Sequence, residues 1–130
     1  MKRDMDLIRE ILLYIEANYK PGMGSMHIEL EGFSSSLILE HCKLAFDSGL
    51  LQSFEDTSIG YGDDCLVGNL SSEGYDYLEK IRDNSIWHKV KQTVKEKGLP
   101  MVVETLKTVA SAFITAAAEG VANSIIKKNL

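Results

Sequence analysis

The sequence predicts an α+β fold that is mostly helical, a module carrying a β-hairpin wing and followed by a helical C-terminal appendage. Three observations predict it. Apolar residues recur at helical spacing in five segments, a hairpin pattern with a glycine-containing turn falls between the second and third, and the last 47 residues carry no strand pattern. The chain has 130 residues, 45% hydrophobic and 25% charged, which fits one domain, or a small domain with an appendage, able to pack a core.

"DMDLIREILLYIEAN" (4–18) is the clearest helix, with Asp4 as N-cap and Ile8, Ile11, Leu12 and Ile15 on one face. Lys20, Pro21, Gly22 and Gly24 break it. "MHIELEG" (26–32) alternates, with Ile28 and Leu30 opposite His27, Glu29 and Glu31, and is expected to be a short half-buried strand. The serines 34–36 offer an N-cap to the next helix, which buries Ile38, Cys42 and Ala45 and ends at Gly49.

"LLQSFED" (50–56) and "DCLVGNL" (64–70) are expected as the two strands of a hairpin, with "TSIGYGD" (57–63) as its loop. Ser71 caps a helix whose inner face is expected to be Tyr75, Leu78 and Ile81, with Gly74 allowing close approach. Asn84 and Ser85 interrupt and recap. Ile86, Trp87, Val90 and Val94 form the stripe of a helix ended by Gly98, and Pro100 is expected to open a last helix reaching about Lys127. Helix, strand, helix, strand, strand, helix is the order of a winged-helix-like module over 1–83, leaving 84–130 as the appendage. Trp87, Val90 and Val94 are expected to be its packing anchor rather than a ligand platform.

"MKRDMDLIREIL", "HCKLAFDSGLL" and "LSSEGYDYLEKIRDNSIWHKVK" resemble a bacterial and prophage family of small proteins of unknown function that opens with an MKRDMDLIR-like segment. The resemblance spans roughly residues 1–95. It implies a winged-helix-like domain and a phage or mobile-element association, and it supplies no catalytic residues.

Charge narrows the partners. Residues 1–83 hold 7 Lys and Arg against 16 Asp and Glu, a net of -9, while 84–130 hold 7 against 3, a net of +4. The front is therefore a poor general binder of polyanions, whose affinity rests on Lys and Arg at phosphates. The candidate nucleic-acid contacts are Lys43 on the helix before the hairpin, Tyr61 in the hairpin loop, and Lys89, Lys91 and Lys95. Of these, Lys91 and Lys95 share a helix face with His88.

No enzymatic motif is present, and neither a metal nor a cofactor is expected. His41 beside Cys42 lacks the spacing of a zinc site, Cys42 lies on a buried stripe, and the serine run is explained by capping. Two cysteines and a charged start without an apolar signal segment point to a reducing cytoplasm.

The last helix is the most unusual segment. "TVASAFITAAA" (108–118) is uncharged yet too short to span a bilayer, so no stable membrane insertion is expected. Val102, Leu106, Val109, Phe113 and Ala116 lie along one stripe, and Ala112, Ala116, Gly120 and Ser124 form a ridge of small residues. Self-association through 99–127 is expected, with Val109, Ala112, Phe113, Ala116 and Gly120 as its candidates. The expected role is a non-enzymatic regulatory protein that binds DNA, and the alternative is a protein-binding module on the same scaffold.

Overall fold

The structure, a computed structural model, describes residues 1–60 and 62–129, the last two by backbone only. The described residues form an α+β, mostly helical architecture. In order, these are α1 (Met5–Asn18), α2 (Ser35–Asp47), β1 (Phe54–Asp56), β2 (Cys65–Val67), α3 (Ser72–Ile81), α4 (Asn84–Glu96) and α5 (Val103–Asn129). The chain divides into two compact units, Met1–Leu78 and Glu79–Leu130.

In the first unit, α1 starts where the Asp4 carboxylate accepts the N–H groups of Asp6 and Leu7. It buries Leu7, Ile8, Ile11, Leu12 and Ile15, and it packs on α2. Ser34 caps α2 at Leu37, and Gly49, at a φ of +80°, ends it as a left-handed residue that L side chains avoid. The expected stripe of Ile38, Cys42 and Ala45 is buried.

The hairpin is antiparallel, with Phe54 opposite Val67 and Asp56 opposite Cys65. Its regular part is shorter than the sequence suggests, because Leu51 and Leu70 meet only at an isolated bridge. The expected strand at 26–32 is also reduced to a single bridge. Met26 and Val67 exchange both backbone hydrogen bonds, at 2.8 and 2.9 Å. The next pair would need the N–H of Cys65, which donates instead to the carboxylate of its neighbour Asp64 at 2.8 Å. The alternation survives without the ladder: Met26 and Ile28 are buried, His27 and Glu29 exposed.

Ser71 caps α3 through Gly74 N–H, and its hydroxyl donates to the Gly49 carbonyl. The inner face of α3 differs from expectation. Tyr77, Leu78 and Ile81 are fully buried, while Tyr75 stands out and donates its hydroxyl to Asn69. Gly74 decides this. A Cβ there would stand 2.0 Å from the Leu50 carbonyl oxygen, so the helix presses its Gly74 side onto the chain at Leu50. Residues 77, 78 and 81 then follow inward by the helical period.

In the second unit, α4 is capped by Asp83, whose carboxylate accepts Ile86 N–H, rather than by Asn84 or Ser85. It buries Trp87, Val90 and Val94 and packs on α5. Gly98 follows the C-cap in a left-handed conformation. Pro100 lies in the connection and not in the first turn of α5, which begins three residues later at Val103.

Candidate functional site

The surface of α2 and the hairpin is the first candidate. Lys43 is exposed on α2, as expected, but it does not stand in a basic field. Exposed carboxylates on the same elements are Glu40 and Asp47 of α2, Asp56 of β1, and Asp63 and Asp64 of the returning arm, while Glu55 projects from the opposite face of the hairpin to Phe54 and Asp56. Asp56 feels the Lys43 charge directly. Its carboxylate is held below the ordinary range first by hydrogen bonds from Ser58 and then by that ammonium. Tyr61, the other expected contact in this unit, lies outside the described residues.

The base of the hairpin loop is pinned locally. Ser58 N–H donates to the Asp56 carboxylate at 2.9 Å, Asp64 N–H donates to the Ser58 hydroxyl at 2.9 Å, and Thr57 N–H reaches the Asp64 carbonyl at 3.0 Å. This fixes where the acidic side chains project. Asp64 also pairs with His27 Nδ1 at 3.1 Å, both side chains more than half exposed. A polar groove of about 460 Å³ lies there, lined by His27, Glu29, Ser35, Asp63 and Asp64 among others.

One further feature of this unit is not visible in the residue spacing. Phe46 of α2 stacks on Phe54 of β1, with ring centroids 6.2 Å apart and planes 27° from parallel, and Phe46 stays exposed. The signal was an aromatic beside a buried stripe, which spacing alone does not connect to a residue in another element.

The His41 and Cys42 neighbourhood is structural. His41 is fully buried, its Nδ1–H donating to the Leu37 carbonyl at 2.8 Å and its Nε2 accepting Asp4 N–H at 2.9 Å. Cys42 and Cys65 are buried free thiols that hydrogen-bond each other. That bond, with burial, pushes the Cys42 thiol far up, and it pulls Cys65 down. Among the described residues, no three His, Cys, Asp or Glu side chains gather into a metal-binding group.

The α4 lysines belong to the second unit. Lys89 and Lys95 are exposed, whereas Lys91 is half-buried with its ammonium 5.3 Å from the centre of the Trp87 ring. It therefore lies against the apolar stripe rather than clear of it. Lys89 falls on a different side of α4 from Lys91 and Lys95. On α5, Leu106 and Ala110 are buried, Val109 and Phe113 are half-buried, and Ala112, Ala116 and Gly120 are exposed. Every residue from Ile114 to Lys127 is exposed. By length and composition alone, the stretch Val103–Lys127 is long and apolar enough to cross a membrane.

Comparison with known proteins adds a family and no activity. The sequence model described as "Hypothetical protein (DUF2513)" matches residues 2–100. A Haemophilus influenzae protein described as uncharacterized is 32% identical over 116 residues, covering 88% of this chain and 97% of the relative. No solved structure matches the chain.

Proposed function

The chain belongs to the DUF2513 family, and we propose that it is a non-enzymatic, winged-helix-like interaction module whose α2 and hairpin surface recognises a basic protein partner. One observation carries this reading. The elements that would enter a DNA groove in a winged helix, α2 and the hairpin, carry six exposed carboxylates against the single ammonium of Lys43. Phosphates are repelled by such a surface, and a Lys- or Arg-rich protein is steered toward it. Exposed Phe46, stacked on half-buried Phe54, supplies an apolar contact of the kind that anchors protein interfaces.

The winged-helix-like assignment is supported by the order α1, Met26 bridge, α2, β1, β2, α3, in which Met26 joins the free edge of β2. One helix stands between that bridge and β1, where a standard winged helix has two. The reading includes a cytoplasmic site of action and the phage or mobile-element origin that the resemblance implies. DNA-binding regulation is the second reading, favoured by the exposed Lys89 and Lys95 on α4.

A fluorescein-labelled octalysine peptide tests the first reading. It binds the protein in a salt-sensitive manner, and the triple variant Glu40→Gln, Asp47→Asn, Asp63→Asn weakens binding by roughly tenfold or more. Equal affinity for both proteins removes the acidic surface from the account.

A further inference from the structure

The apolar ridge of α5 is longer than the helix packed beside it. Leu106 and Ala110, both buried, begin a line that continues at intervals of three and four through Ile114, Ala117, Val121 and Ile125. The short connection at residues 97–102 sets the start of α5 beside α4. The 13 residues of α4 span about 20 Å and the 27 of α5 about 40 Å, so roughly the second half of the ridge extends past α4. There Ile114, Val121 and Ile125 are 43%, 61% and 55% exposed. A groove of about 740 Å³ runs along the same side, lined by Ala117, Gly120, Val121, Ser124, Ile125 and Lys127.

We propose that this bare half of the ridge is a homodimer seam, filled by α5 of a second copy of the chain. The proposal goes beyond the reading of the α2 and hairpin surface and does not depend on it. Continuity is the first argument, because the exposed residues extend a seam whose start is already buried beside α4. Self-complementarity is the second. Large Ile114, Val121 and Ile125 alternate with small Ala117, Ala118 and Gly120, so knobs on one copy meet gaps on the other in an isologous contact.

Charge is the third argument. Glu119 and Lys127 are the charged residues between 108 and 127 and cancel each other, so two copies approach without repulsion at the seam. The polar residues Thr115, Glu119 and Asn123 recur every four and lie opposite the ridge, while Lys127 stands at the edge of the groove. A bilayer-spanning helix would carry Glu119 and Asn123 into hydrocarbon, whereas a dimer leaves them in water. Ala116 falls within this polar side, which separates the seam from a ridge built on Ala112 and Ala116.

Sedimentation equilibrium of the full chain tests the proposal, with far-UV circular dichroism as the control for folding. The native protein is expected at twice the chain mass of 14.4 kDa, and Val121→Glu with Ile125→Glu at the chain mass with its spectrum kept. Ala116→Glu, on the polar side, is expected to stay dimeric. A native protein that stays at 14.4 kDa up to about 100 µM, or a double variant that stays dimeric, overturns the seam. So does a monomer that co-floats with phosphatidylcholine vesicles, which would make the ridge a lipid contact instead.

Discussion

The backbone N–H of Asp4 donates to Nε2 of the buried His41 at 2.9 Å, joining residues 37 positions apart. Asp4 caps α1 with its carboxylate while its own N–H is tied to α2, so one residue starts the first helix and fastens it to the second. The Nδ1–H bond to Leu37 fixes the neutral tautomer that leaves Nε2 free to accept.

His41→Ala removes that acceptor and opens a cavity in a fully buried position. We expect a loss of about 2–3 kcal/mol in urea unfolding, from the lost hydrogen bonds and packing. A loss within about 0.5 kcal/mol would mean that the histidine is not the fastener.

Gly74→Ala places a methyl group against the Leu50 carbonyl at a separation that no relaxation of a side chain can relieve. The expected result is a fall in stability of roughly 2 kcal/mol or more, against the gain that the same change gives in an unhindered helix interior. Thermal melts of the variant and the native protein decide it. An unchanged or raised midpoint would contradict the packing of α3 at Leu50.

Tyr77→Phe is expected to be neutral or stabilising by up to about 1 kcal/mol, since a buried hydroxyl without a partner costs free energy. The Tyr77 hydroxyl is buried with no hydrogen-bond partner among the described residues, and burial pushes its phenol well up. A substantial loss of stability in chemical denaturation would reveal a bond that this account lacks.

The two tyrosines also mark how far the sequence could be read. Helical spacing from Leu78 and Ile81 admits either Tyr75 or Tyr77 on the inner face, and only the contact of Gly74 with Leu50 selects Tyr77. Likewise the alternation at 26–32 separates buried Ile28 and half-buried Leu30 from exposed His27, Glu29 and Glu31. It cannot show that Asp64 takes the Cys65 N–H a ladder would need. Local signals such as the Asp4 and Ser34 caps and the Gly49 and Gly98 stops were legible because their physics is local.

The candidate site was less legible, for the same reason. Lys43 is found as a lysine on an exposed helix face, but its meaning depends on Asp56 from a different element. Lys91 sits at helical spacing with Lys95, yet its ammonium rests over Trp87 one turn away. In each case the residue was visible and its neighbour was not.

On the proposed reading, the α2 and hairpin surface takes a basic protein and rejects phosphates. A fluorescence-anisotropy titration with mixed-sequence duplex DNA, at low and at near-physiological salt, tests it most directly. No saturable binding is expected at near-physiological salt. Binding that persists there, weakens steeply as salt rises and is lost on Lys43→Glu would place DNA on this surface and contradict the account.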